Sequence, residues 1–211
     1  GTLVNMPFWI QPTIIILLLI AIITTMRKLR VTETALANQK DNIDELSHLA
    51  FYDELTRLPN RTYFEKHINH AIARAERAQQ PLTVLFIDLD NFKPVNERYG
   101  HRMGDHILKL VADSIKQSLR EVDFPAHLSG DEFIAVLEHT ADRKVLKVTA
   151  ERILQNIRNS TRAVECKHNL SASIGISIYP EHGETAADLM DMADHAMFSA
   201  KERGGDNFAF I

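Results

Sequence analysis

Apolar residues fall along this chain in three different rhythms. Residues 6–26 are apolar throughout except for Gln11, Pro12 and three threonines. As a helix rising 1.5 Å per residue, such a stretch reaches about 30 Å, the thickness of a bilayer's hydrocarbon core. Arg27, Lys28 and Arg30 come after the run rather than before it. That is the order of a stop-transfer segment, not of a signal peptide, and the positive-inside rule places the downstream chain in the cytoplasm. The pattern predicts a transmembrane helix over residues 6–26. The chain opens on Gly1 and enters this run almost at once, so an upstream portion such as a periplasmic sensor is expected in the parent protein.

Residues 27–50 are polar and helical in pattern. Leu29, Leu36, Ile43 and Ala50 repeat every seven residues, and Leu46 takes a d-type position. Thr32 and Gln39 put polar groups at the other d-type positions. This predicts a weak parallel coiled-coil seam, or, more plainly, a solvated amphipathic linker.

From residue 51 onward helical and strand patterns alternate. Helices are predicted over residues 60–79, 105–119, 142–157 and 186–201, the last ending at Gly204 and Gly205. Residues 82–87 form a short apolar run that reads as a buried strand ending at Asp88. Residues 126–128 and 133–137 flank the tight turn Ser129-Gly130-Asp131-Glu132 and read as a hairpin. Residues 169–179 alternate as a strand. The sum is an α+β sandwich, with helices packed on a sheet rich in antiparallel pairs.

Composition narrows the function. A formal net charge of -4 argues against non-specific nucleic-acid binding, so no nucleic-acid partner is expected. Cys166 is the single cysteine, which removes any intramolecular disulfide and suits a reducing cytoplasm.

Two acidic clusters carry the candidate chemistry. Asp88-Leu89-Asp90 closes the apolar strand, and Asp131-Glu132 sits in the hairpin turn. A strand end and a neighbouring hairpin tip can bring carboxylates to one point, where hard oxygen ligands hold Mg²⁺ beside phosphates. The small pair Ser129-Gly130 lets a phosphate approach backbone N–H groups. Acidic turns are often just solvated. Asp88 is harder to set aside, because a carboxylate closing an apolar strand is desolvated unless something pairs with it.

Five segments, in order and spacing, resemble the GGDEF family of diguanylate cyclases. They are DELTRLPNR (53–61), FIDLDNFKPVNERYGHRMGD (86–105), REVDFPAHLSGDEF (120–133), SIGIS (173–177) and ADHAMFSAK (193–201). The resemblance covers residues 51–211 and implies a cyclase/polymerase-palm-like, ferredoxin-like sheet flanked by helices. It implies that two GTP are condensed to cyclic di-GMP and two pyrophosphates by a homodimer, each protomer holding one GTP. Asp88, the carbonyl of Leu89, Asp131 and Glu132 would hold Mg²⁺ or Mn²⁺. Asp131 and Glu132, with Lys93, would act in catalysis. Asn96 and Asp105 would read guanine, with His101 in the same loop. Phe92, Lys93 and Lys201 would contact the triphosphate. Arg120 and Asp123 form an RxxD pair where the family places an inhibitory product site, with Arg152 as a second arginine; a surface charge pair is the simpler reading of so short a motif.

The chain departs from the family at several points. Ser129 stands for the first Gly of the signature, His127 for a usual Arg, Arg57 for a Gly in the first motif, and Glu97 for a common Asp. The family ending AKxxGRN here reads AKERGGDN, with Gly205 where a phosphate-binding Arg is usual. Two functions remain in view. One is a cyclase facing the cytoplasm from a bacterial inner membrane. The other is a degenerate regulatory module that binds GTP or cyclic di-GMP and controls a downstream EAL phosphodiesterase domain.

Overall fold

The computed structural model describes residues 11–162, 164 and 170–211. Contacts divide the chain into two units that meet between His48 and Leu49, and each is described by itself.

The first unit is helical. Helix α1 runs Gln11–Phe51, 41 residues, its last residues belonging to the second unit. Ile15, Leu17, Leu18, Ile22 and Ile23 are all more than half exposed. Thr24, Thr25, Thr32 and Thr34 turn their hydroxyls back onto carbonyls of the preceding turn, which satisfies these donors within the helix. Among the described residues no helix is long and apolar enough to cross a membrane. Among the described residues the predicted span over residues 6–26 therefore finds no support. Described helix starts only at Gln11, and the apolar part from there to Met26 falls short of about 30 Å at 1.5 Å per residue. Residues 6–10 lie outside the described residues. Helix continues through the predicted linker. The side chains of Leu36, Gln39, Ile43 and Leu46 lie outside the described residues, so the seam itself is not observed.

The second unit is built on one sheet. Strand β1 (Leu82–Asp90) lies at its centre, antiparallel to β3 (Glu132–Glu138) on one side and to β4 (Ser171–Tyr179) on the other. Strand β2 (Phe124–Ser129) pairs with β3, and β5 (Asn207–Phe210) lies parallel to β4, giving the order β2-β3-β1-β4-β5. The first four strands, with their helical crossovers, have the ferredoxin-like arrangement expected from the resemblance.

Alternation along the strands feeds two cores. Leu85, Ile87 and Leu89 of β1 face one side, with α3 (Phe92–Tyr99), α4 (His101–Ser118) and α5 (Arg143–Arg162). Val84 and Phe86 face the other, with α2 (Arg61–Ala78) and α6 (Ala186–Glu202). By the same alternation Asp88, Asp90 and Glu132 belong to the α2/α6 side. Helix α2 begins one residue later than predicted, because the Asn60 side chain caps it by accepting from Tyr63 N–H at 3.0 Å.

Two elements escaped the sequence pattern. Helix α3 is one of them; it is only two turns long and carries Pro94, tolerated because it stands in the first turn. Helix α4 then starts at His101 rather than at residue 105. Strand β5 is four residues long and comes after two glycines. The strand predicted from residue 169 begins at Ser171; Asn169, like Cys166, lies outside the described residues.

Candidate functional site

The two acidic clusters meet. Asp88 is the register partner of Glu132 across β1 and β3, and Leu89 N–H donates to Asp131 O at 3.2 Å. Burial pushes the Asp88 carboxyl up to about 6, against the pull of Lys201, and the neighbouring Asp131 and Glu132 push the same way as burial. Lys201 Nζ lies 2.6 Å from Asp88 Oδ1. Glu132 accepts from Ser129 Oγ at 3.0 Å and faces Arg61 at 3.8 Å. Among the described residues no three side chains of His, Cys, Asp or Glu are already drawn together as a metal site. The carboxylates of Asp88 and Glu132 are instead each matched to a cation.

The signature turn tolerates its serine for a backbone reason. Gly130 is at φ 54, in the left-handed region, whereas Ser129 has no positive φ. A register shift between His127 and Ser129 places a bulge just before the turn, with Ser129 paired again to Glu132.

Lys201 reaches Asp88 because α6 lies very close to β4. Ser173, Gly175 and Ser177 line the strand face beneath it. A Cβ on Gly175 would come 1.8 Å from Ala193 O, and Ser177 Oγ donates to Leu189 O at 2.7 Å. The SIGIS segment therefore seats the helix, a role its sequence alone did not reveal. Beyond α6 the chain is pinned by Asp90, which accepts from Ser171 Oγ (2.6 Å), Ser173 Oγ (2.8 Å) and Asp206 N–H (2.9 Å). Gly205 is at φ 72, and a Cβ there would meet the Asp90 carboxylate at 2.8 Å. A side chain at position 205 would meet both a left-handed backbone and the Asp90 carboxylate, so glycine suits the local structure where the family ending has arginine.

The predicted guanine readers lie on α3 and α4, joined at Gly100 with φ 81. Asn96 Oδ1 is buried and has no hydrogen-bond partner among the described residues. It is crowded by Gly104, where a Cβ would come within 1.9 Å of it. His101 and Asp105 are exposed on the first turns of α4. The Phe92 side chain is core, packed with Val95 and Ile107, so a triphosphate could meet only its backbone. Lys93 is open to solvent and pairs loosely with Glu97 at 4.0 Å.

His127 is buried where the sequence showed only an exchange for arginine. Its Nδ1 faces Asp53 Oδ1 at 3.1 Å and Thr56 Oγ1 at 3.5 Å, its Nε2 faces Gly130 O at 3.0 Å, and its ring stacks on Phe133. Burial pushes the Asp53 carboxyl up, but hydrogen bonds from Thr56 and the contact with His127 outweigh this and hold it below the usual carboxylate range.

The predicted product site is a cavity of about 400 Å³ lined by Arg120, Asp123, Thr140, Val148 and Arg152, among others. Arg120 grips Asp123 through Nε (3.1 Å) and Nη2 (2.7 Å) and also donates to Glu138 O. Arg152 donates from Nε and Nη2 to Ser118 O at 3.0 and 2.7 Å.

Comparison with known proteins agrees with this geometry. The family model described as "Diguanylate cyclase, GGDEF domain" matches residues 50–207. The chain is 38% identical over 200 residues to a bifunctional diguanylate cyclase/cyclic di-GMP phosphodiesterase, MucR of Pseudomonas aeruginosa, a match covering 94% of this chain and 29% of MucR. It is 39% identical over 168 residues to the diguanylate cyclase TpbB of the same organism, covering 79% of this chain and 39% of TpbB. The solved GGDEF domain of TpbB has a TM-score of 0.67 to this structure at 39% identity, covering 75% of this chain and 93% of that domain. The GGDEF domain of DgcB from Caulobacter crescentus, solved in complex with c-di-GMP, has a TM-score of 0.67 at 26% identity, covering 76% of this chain and 93% of that one. The chain spans well under half the length of MucR and TpbB. With the fold, the acidic rim and the family match in agreement, the chain belongs to the GGDEF family of diguanylate cyclase domains.

Proposed function

We propose that this chain is a working diguanylate cyclase module that condenses two GTP into cyclic di-GMP and two pyrophosphates. The observation that carries the reading is the placement of Asp88 beside Glu132, with a lysine ammonium seated on Asp88 as a cation would be. The donor set is hard oxygen, which fits Mg²⁺ or Mn²⁺. Asp88, the Leu89 carbonyl, Asp131 and Glu132 would hold the ion, which when bound supplies Lewis-acid stabilisation of charge on the α-phosphate.

The remaining work falls to side chains and backbone. Asn96 and Asp105 orient guanine, and the unpartnered Asn96 Oδ1 accepts from a guanine N–H. The N-terminus of α3, without a side-chain cap, offers the N–H groups of Phe92 and Lys93 to phosphate. Lys201 moves from Asp88 to the phosphates as the substrate enters. Glu132 accepts the proton of the 3′-hydroxyl. The 3′-oxygen forms its bond to the α-phosphorus of the GTP in the other protomer, and the bond to pyrophosphate breaks. Since one protomer offers only half of this arrangement, a homodimer is required, and the heptad residues of α1 are its candidate seam. The exposed apolar residues between Ile15 and Met26 support anchoring in a bacterial inner membrane, with the catalytic unit on the cytoplasmic side. The cavity at Arg120 and Arg152 is the candidate site for feedback by cyclic di-GMP.

Gly205 favours a second reading, a regulatory module, because the triphosphate lacks the arginine most of the family offers. Incubating the chain with GTP and Mg²⁺ decides between them. Cyclic di-GMP and pyrophosphate in a 1:2 ratio support the cyclase. GTP binding without product supports the module.

A further inference from the structure

His127 closes a tie between two segments far apart in sequence. On one side is the turn of residues 51–60, held by Asp53 N–H to Leu58 O and Asn60 N–H to Phe51 O. On the other is the signature turn. The His127 backbone N–H donates to Pro59 O at 2.9 Å, and its ring reaches both Asp53 and Gly130.

The chemistry of the neighbours fixes the state of the ring. Gly130 O can only accept, so Nε2 must carry a proton. Asp53 Oδ1, on the other side, is a carboxylate oxygen, and its partner Thr56 Oγ1 already spends its own proton on Asp53 at 2.7 Å. A neutral ring with its proton on Nε2 would turn the Nδ1 lone pair towards that oxygen at 3.1 Å. Only the imidazolium satisfies both sides at once. We propose that His127 is a positioning residue that holds the signature turn by its Gly130 carbonyl in the doubly protonated form, so that the placement of Asp131 and Glu132 depends on an imidazolium. The arginine usual in the family would keep its charge at any physiological pH; the histidine makes the tie sensitive to pH.

Other charges around the ring do not replace it. Asp53 is the charged group that contacts it. Glu132 of β3 and Arg61 of α2, which come to the same turn, pair with each other. Phe133 contributes only its ring face. With the proton gone, one of the two contacts must be given up, and the turn loses either Gly130 or the anchor at Asp53.

The consequence for rate rests on the cyclase reading, but the protonation state does not. The test uses the full chain and His127→Arg. Cyclic di-GMP formation is measured from about pH 5 to 8, where an imidazole titrates. The ratio of wild-type to His127→Arg kcat is expected to fall by about tenfold as pH rises, the cost of a turn displaced by a fraction of an ångström. Using the ratio removes the contribution of Asp88, which titrates in both proteins. In parallel, NMR of histidine-labelled protein should find two slowly exchanging ring N–H protons on His127. A flat ratio, or a single ring proton on a neutral tautomer, overturns the proposal. If no cyclic di-GMP forms at any pH, the cyclase reading fails, and His127 is then judged on its ring protons alone.

Discussion

The carboxylate rim and the arginine cavity lie on the same unit and hold their charges in opposite ways. At the rim, Asp88 is matched to Lys201 and Glu132 to Arg61. Both cations stand at the ends of long flexible stems on helices, so an incoming ion or phosphate can displace them without moving backbone. In the cavity the arginines are fastened to fixed backbone oxygens, Arg120 to Glu138 O and Arg152 to Ser118 O. Their forks are oriented before any ligand arrives. The Asp123 hydrogen bonds raise the pKa of Arg120 further, so its charge is permanent. The rim can exchange partners while the cavity keeps a fixed shape, as the proposed turnover and feedback sites would each require.

The largest effect is expected from Asp88→Asn. Removing the charge while keeping the shape should cut cyclic di-GMP formation by at least about a hundredfold, the scale of losing a main electrostatic contact in a transition state. Its effect on stability should have the other sign. The folded pKa of Asp88, about 6, lies above the ordinary carboxylate value, so the folded state favours the proton. The group therefore favours folding at low pH, and this contribution is lost as pH rises from the ordinary value through about 6. Metal-free Asp88→Asn should melt at or above the wild-type temperature at about pH 7 and lose that advantage at about pH 4, near the ordinary carboxylate value. Metal and GTP uptake by the wild type should weaken below about pH 6, where the proton competes. Melting curves at both pH values and a product assay check this. Full activity in the variant would remove Asp88 from the site.

Next in size is Gly205→Arg. By sequence alone the change looks like a repair of the phosphate grip. The structure reverses the expectation, because the residue sits at φ 72 against the Asp90 carboxylate. Left-handed backbone costs a non-glycine residue about 1–2 kcal/mol, and opening the Asp90 clamp would shift Lys201. The variant should melt lower and bind GTP more weakly, as seen by calorimetry. Tighter binding would mean that the clamp yields without cost.

Removing one preset fork is a smaller change. Arg152→Ala should weaken cyclic di-GMP binding about tenfold, the scale of a hydrogen bond to a charged group, while the rate at low product concentration holds. Isothermal titration and product-inhibition curves read the two separately. Equal affinity in the variant would leave the cavity to Arg120 and Asp123.

How far the sequence foretold these regions also differs. The rim was legible because the apolar run of β1 ends in an acid, and a turn rich in small and acidic residues stands at hairpin spacing further on. The arginine cavity was legible through RxxD alone. What was hidden depended on contacts between distant segments. Nothing local in SIGIS says that Gly175 lies under Ala193, or that Gly205 lies against Asp90. The His127 exchange could be seen, but not its partners, since Asp53 is 74 residues earlier in the chain. Helix α3 and strand β5 were missed because both are short and come directly after a turn, where periodicity has too few residues to count.

The smallest prediction concerns Arg57, in the turn that ties the start of the unit to the rim. The residue is exposed, at φ 60, among residues 51–60. Its N–H donates to Asp53 O at 2.9 Å, which holds the turn closed around the same Asp53 that receives His127. A left-handed conformation penalises any side chain with a Cβ, and glycine escapes that penalty but loses more entropy on ordering. The two effects nearly offset each other. Arg57→Gly should therefore raise stability by no more than about 1 kcal/mol, read as a shift of a few degrees in melting temperature. Because the exposed guanidinium lines neither the rim nor the cavity, product formation and cyclic di-GMP affinity should both stay at wild-type levels. A loss of activity together with the stability gain would show that strain at Arg57 bears on the signature turn through Asp53 and His127.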